Sequence, residues 1–189
     1  PGKNIRPLLG KPLLAYAIEL AKSIGEIEQV FVSTDDEQIS AVASAYGAVV
    51  IERPAELASD TSAEFLAWRH AVAWVEQRYG HFDRFVSLPA TAPLRNHEDV
   101  RAAMCKLHQT NADICVSMSA AHRSPYFNMV RQLPDGLVEI ALKNEGVVIR
   151  RQDAPVLFDL TTVVYVTTPA YIRHSHGVLS GKVAAVEIP

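Results

Sequence analysis

QVFVSTDDEQISAVASAYGAVVI, residues Gln29–Ile51, is the stretch on which the fold turns. Gln29 to Ser33 is a short apolar run with β-branched residues, the pattern of a strand covered on both faces. Thr34 and Asp35 then open a helix, because short oxygen-bearing side chains accept hydrogen bonds from free N–H groups of a first helical turn. The helix ends near Gly47, and Ala48 to Ile51 is another strand. A helix between two such strands points to a parallel pair joined by a crossover.

The same alternation extends in both directions. Upstream, Pro12 stands where a helix begins, and Leu13, Leu14, Ala17, Ile18, Ala21 and Ile24 recur at helical spacing before a stop at Gly25. Downstream, Arg53 to Asp60 has no period and reads as a loop. Thr61 with Glu64 three residues on forms a capping box for a helix through Tyr79, its buried stripe being Phe65, Trp68, Val72 and Val75. Phe85 to Leu88 and Asp113 to Ser119 are further strands, separated by the loop Pro89 to Arg95 and a helix capped by Asn96 and Asp99. The expected fold class is α/β, a Rossmann-like, mostly parallel sheet with helices on both faces. After Ser119 the pattern changes. Asn128 to Gln132 and Leu137 to Leu142 flank the turn Leu133-Pro134-Asp135-Gly136 and predict an antiparallel hairpin within an insertion of about residues 120–159. Val163 to Thr167 and Val183 to Ile188 return to strand, around a short helix from Pro169 to His174.

Composition restricts what such a chain does. With 189 residues, 49% apolar and 21% charged, it has the balance of a single globular domain. Its 18 basic and 21 acidic residues give a net charge of −3, and no basic run exceeds the pair Arg150 and Arg151, so no nucleic-acid footprint is visible. No apolar stretch approaches the roughly 20 residues of a membrane span, and no secretory signal is present. Cys105 and Cys115 form neither a CxxC pair nor a metal-ligand spacing, so the expectation is a soluble protein of the reducing cytoplasm. Dinucleotide, P-loop and nucleophile-elbow glycine motifs are all missing. The chain begins with Pro1 and no Met, from which we expect that the natural protein starts earlier.

In open α/β sheets ligands bind beyond the carboxyl ends of the strands. The loops there carry Arg53, Arg95 and Arg123, with Lys3 and Arg6 able to join them, a set of cations suited to phosphate or carboxylate. Asp35, directly after a strand, reads as a helix cap or as a metal or ribose contact.

Pro1-Gly2-Lys3-Asn4-Ile5, Leu9-Gly10-Lys11-Pro12-Leu13, Ser33-Thr34-Asp35, the block Arg53 to Asp60 (RPAELASD) and Ala90 to Arg95 (ATAPLR) occur in the order seen in one family. The chain resembles the acylneuraminate cytidylyltransferases, or CMP-sialic acid synthetases, over nearly its whole length. The resemblance implies transfer of CMP from CTP to the anomeric hydroxyl of a sialic-acid-like nonulosonic sugar, with release of pyrophosphate and a requirement for Mg2+. It implies Lys3 as the catalytic, phosphate-binding lysine and Asn4 as a nucleotide contact. Arg53 would read the cytosine, and Thr61, Ser62 and Ala63 would let main-chain groups approach the base. Thr91, Arg95, Tyr126, Asp159, Thr161 and Tyr165 would border the sugar. The hairpin insertion would reach a second subunit, implying a homodimer.

The chain also departs from the family pattern. An apolar first strand with an Arg-x-x-Ser-Lys loop would precede Pro1, and an Asp-x-Asp metal motif would follow residue 189, so the metal ligands are expected outside the chain. Pro89-Ala90 replaces the usual Gln-Pro, and Asp159-Leu160-Thr161 replaces Arg-x-Asn, which opens the acceptor to an octulosonic or other sugar acid. A non-catalytic dimeric module of the same fold is the alternative from another class.

Overall fold

The structure is a computed structural model and describes residues 2–57, 64–143 and 150–188. Its packing divides the chain into two compact units, Pro1–Ser117 with Thr161–Val186, and Met118–Leu160 with Glu187–Pro189. The elements in chain order are β1 (Pro7–Leu8), β2 (Lys11–Pro12), α1 (Leu13–Ser23), β3 (Phe31–Thr34), α2 (Glu37–Ala45), β4 (Val49–Glu52), α3 (Glu64–Tyr79), β5 (Phe85–Ser87), α4 (His97–Thr110), β6 (Ile114–Ala120), β7 (Val130–Gln132), β8 (Val138–Ile140), β9 (Phe158–Thr167), α5 (Pro169–His174) and β10 (Val183–Glu187).

The stretch quoted first folds as a strand, a helix and a parallel strand, with Phe31 opposite Val49 and Thr34 opposite Glu52. The helix opens later than expected. Its N-cap is Asp36, whose Oδ1 accepts from the N–H groups of Gln38 at 2.8 Å and Ile39 at 3.0 Å, while Thr34 Oγ1 accepts from Asp36 N–H. Thr34 belongs to the strand, and Asp35 is left exposed between strand and cap.

Four other strands form a sheet in the order β10, β6, β9, β5. Side chains of β6 and β9 alternate between two cores, as the pleat requires. Cys115, Val164 and Val166 pack with Val100, Ala103 and Leu107 of α4, whereas Ile114, Val116 and Tyr165 pack with Phe65, Trp68 and Val72 of α3. Helices therefore cover both faces, as an α/β fold demands. The expectation of a mostly parallel sheet needs correction, because the sheet is mixed. β5 and β9 pair antiparallel, with Phe85 opposite Thr167. β9 also runs against β6, since Ser117 bonds to residues 161, 163 and 164 while Thr167 Oγ1 donates to Asp113 O. The physical reason is the connection. The chain passes from β6 to β9 through the hairpin segment, with no α-helix among the described residues between them, whereas a parallel return needs a crossover connection.

The segment before α1 contains the hairpin β1–β2, which the sequence reading did not include. Leu9 and Gly10 close it with φ of 49° and 82°, the pair of positive values that a tight two-residue hairpin turn demands. The second unit holds β7 and β8, paired from Val130–Ile140 to Gln132–Val138 around the foreseen Pro134-Asp135-Gly136 turn. Phe127, Met129, Val130, Leu137 and Val138 of this unit are exposed.

Candidate functional site

The first unit encloses a cavity of about 1200 Å³. Asn4 lines it, and so do Ser33, Asp35 and Arg53 at the carboxyl ends of β3 and β4. This is where a strand-end ligand site is expected. The lining mixes apolar side chains of α1, α3, β3 and β5 with polar ones, among them Ser33, Thr34, Glu64 and Ser87.

Arg53 follows the last residue of β4, and its N–H donates to Thr34 O at 3.0 Å, extending the ladder by one bond. The side chain turns back across the end of β3. Nε donates to Ser33 Oγ at 3.1 Å, and Nη2 donates to Ser33 O at 2.7 Å. Two bonds from one planar group fix both the position and the tilt of the guanidinium, so a half-buried cation with a defined edge stands at the rim. Lys3 and Asn4 lie in a 3₁₀ turn, Lys3–Ile5, entered through Gly2 at φ 72°. Lys3 is exposed, and Asn4 is half-buried on the cavity lining.

Arg95 is organised differently. It is buried, and its Nη2 donates to Pro89 O at 2.6 Å and to Ala92 O at 3.3 Å, drawing the loop before α4 around the guanidinium. Nε and Nη1 have no partner among the described residues. Burial lowers its pKa to about 10, with Asp99 opposing the shift. Neither Arg95 nor the exposed Thr91 lines the cavity, although Pro89 and Ala90 do. Tyr165 is buried against Trp68, their rings 5.3 Å apart edge to face. Burial first and the charge of Glu64 second raise the phenol above its ordinary range. Thr161 Oγ1 is buried with no partner among the described residues. Tyr126 and Asp159 belong to the second unit, Tyr126 half-buried in a turn whose N–H donates to Ser124 Oγ, and Asp159 exposed on β9. Thr61, Ser62 and Ala63 lie outside the described residues.

Of the residues singled out from sequence, Asn4 and Arg53 both line the cavity. Two neighbours escaped notice as site residues. Ser33 was read only as a strand end and a member of the linked family pattern, yet it holds Arg53. Glu64 lines the cavity at the start of α3, a position that the capping pattern had already explained. Among the described residues no group of three His, Cys, Asp or Glu side chains could hold a metal ion.

Residues 1–176 match the family model for cytidylyltransferases. The chain belongs to the cytidylyltransferase family. It is 33% identical over 166 residues to the post-translational flagellin modification protein B of Campylobacter coli, covering 87% of this chain and 69% of that protein. It is 36% identical over 133 residues to an N-acylneuraminate cytidylyltransferase of Escherichia coli O18:K1:H7, covering 70% of this chain but only 30% of that longer protein. In fold it resembles CMP:2-keto-3-deoxy-manno-octonic acid synthetase, solved with CTP, at a TM-score of 0.68 and 14% identity, over all of this chain and 83% of that one. The family match takes in the Lys3–Asn4 turn, the Arg53 rim, the Arg95 loop and the hairpin of the second unit together. No helix among the described residues of this cytidylyltransferase is long and apolar enough to cross a membrane.

Proposed function

We propose that this chain carries the nucleotide-binding part of an enzyme that transfers CMP from CTP to the anomeric hydroxyl of a sialic-acid-like nonulosonic sugar. The observation that carries the proposal is that Asn4 and Arg53 both line the cavity of the first unit, within a chain of the cytidylyltransferase family. The sugar hydroxyl attacks the α-phosphorus in line. A new P–O bond forms, the bond to the bridging oxygen breaks, pyrophosphate leaves and the hydroxyl proton passes to solvent. Lys3 is the catalytic residue of this reading, since its exposed ammonium offsets charge on the phosphates and on the leaving group. Asn4 positions the nucleotide. Arg53, held by Ser33, presents its remaining donor edge to the cytosine carbonyl, and the main chain of Thr61, Ser62 and Ala63 completes the base site. Thr91, Arg95, Thr161 and Tyr165 of the first unit belong to the sugar side of this reading, with Arg95 shaping its loop from within.

Mg2+ enters this proposal as the companion ion of CTP. The described residues do not form a site for it, so no step is routed through an ion held by this chain. The exposed apolar residues of the second unit support a homodimer formed through that unit. Two unpaired cysteines suit the cytoplasm. Calorimetric titration of CTP tests the base assignment. Arg53→Ala should weaken binding by about 1.5–3 kcal/mol, the worth of a charge-assisted bond, or roughly 10- to 150-fold. Unchanged affinity would remove Arg53 from the base site. Pyrophosphate release across a panel of nonulosonic and octulosonic acids, measured on the parent protein, names the acceptor.

A further inference from the structure

One carboxylate on the cavity lining is left without a partner. Asp35 stands directly after β3, exposed, and among the described residues its side chain makes no hydrogen bond and no ion pair. Both of its neighbours are engaged. Thr34 is buried and paired opposite Glu52, and Asp36 caps α2 through Oδ1 while its own N–H donates to Thr34 Oγ1. The backbone on either side of Asp35 is therefore fixed, and its side chain alone is unused. Arg53 stands across from it, since Thr34 pairs with Glu52 and the Arg53 N–H donates to Thr34 O at 3.0 Å. The guanidinium uses Nε and one N–H of Nη2 on Ser33. What remains is the end of the fork, the N–H groups of Nη1 and the second one of Nη2. Two opposite charges thus line one cavity from adjacent strand ends without pairing with each other.

A fork of parallel donors beside an acceptor-only carboxylate complements a planar ring edge that offers two acceptors and then a donor. Cytosine has that edge, in the order O2, N3 and the N4 amino group. Carboxylates accept from cytosine N4, and Arg forks donate to adjacent acceptors of a base. Other uses of Asp35 fit less well. A phosphate would meet its negative charge, and among the described residues no group of three His, Cys, Asp or Glu side chains could hold a metal ion with its help. We propose that Asp35 determines the choice of base: Arg53 donates to O2 and N3 of cytosine while the Asp35 carboxylate accepts from N4, so that the two side chains select cytosine over uracil. Uracil in the same pose turns an N–H toward the Arg53 fork and its O4 toward the carboxylate. Both contacts are then mismatched, and a site built for one hydrogen-bonding pattern rejects the other strongly. The inference deepens the functional reading above and rests on it, because it requires a nucleotide in this cavity.

Calorimetric titration of the protein with CTP, UTP and dCTP, without acceptor sugar, tests it on Asp35→Asn and Asp35→Ala. Asp35 neither caps a helix nor pairs in a strand, so thermal unfolding should show both variants folded. An amide turns either its oxygen or its nitrogen toward the base, so asparagine serves N4 of cytosine and O4 of uracil alike. The wild type should bind CTP at least about tenfold more tightly than UTP, and Asp35→Asn should lower that preference at least about fivefold, with the ratio of CTP to dCTP unchanged. Asp35→Ala should weaken CTP more than UTP. Loss of one charge near the triphosphate acts on CTP and UTP equally and cancels in the ratio. No preference in the wild type, an unchanged preference in the variants, an equal weakening of all three nucleotides, or a change confined to CTP against dCTP, which would move Asp35 to the ribose, would each overturn the inference and leave the functional reading standing. Failure of the wild type to bind CTP would overturn the functional reading and this inference with it.

Discussion

Replacing Ser117 with alanine tests how β9 is held to its neighbour. The Ser117 side chain is fully buried on β6. Its hydroxyl donates to Thr161 O at 3.0 Å and accepts from the N–H groups of Val163 at 3.1 Å and Val164 at 3.2 Å. One oxygen thus serves three backbone groups of β9. Alanine keeps the volume nearly constant but leaves those groups to find other partners. A buried donor or acceptor without one costs about 1–3 kcal/mol. If the sheet recaptures one of the three, the two that remain give an expected loss of about 2–6 kcal/mol, a large part of the total stability of an ordinary domain. Urea unfolding measures it, and exchange of the Val163 and Val164 amides localises it. A loss below about 1 kcal/mol at an unchanged denaturant slope, with both amides still protected, would show that the hydroxyl is not what holds β9 there.

Four further outcomes are expected. Asn96→Ala should cost about 0.5–2 kcal/mol in thermal unfolding, since Asn96 Oδ1 accepts from Asp99 N–H and Asp99 Oδ2 accepts from Asn96 N–H. Gly181→Ala should destabilise the protein more than Gly80→Ala. Both glycines have positive φ, but a Cβ at 181 would meet Asp113 Oδ2 at 2.5 Å, whereas one at 80 meets nothing, and calorimetric midpoints give the difference. Burial raises the Cys115 pKa from 9.0 to about 11. The folded state therefore keeps a proton that the unfolded state releases, and stability should fall as pH rises from 9 toward 11, a slope that Cys115→Ala should lessen in urea melts compared across that range. Ser33→Ala frees Arg53 Nε, and CTP titration should show weaker binding than for the wild type while leaving some affinity, because the bond to Ser33 O persists.

The capping box at Asn96 and Asp99 and the turn at Pro134-Asp135-Gly136 were legible in the sequence because each is decided within a few residues. Helix α2 shows the limit of that locality. Thr34, Asp35 and Asp36 are all competent caps, and the choice of Asp36 depends on where pairing with β4 ends, which sequence spacing does not disclose. The direction of β9 was illegible for a related reason. A strand's apolar pattern is the same read parallel or antiparallel, and only its distant partners settle the matter. Arg53 was identified through a linked motif, whereas the Ser33 contact that holds it arises from the parallel pairing of two strands. Arg95, one cation among several in the sequence, proves to be the centre of its own loop.

Among the described residues β3 pairs only with β4 and β5 only with β9, and the edge that each leaves without a strand partner bears on how this polypeptide behaves in concentrated solution. Unpaired strand edges beside apolar side chains are templates on which other chains add. Flanking charges at Glu28, Asp35 and Arg84 stand at the ends of these strands and not along them, so they guard the openings while leaving the middle unprotected. Molecules of this polypeptide should therefore self-associate through β3 and β5 as concentration rises.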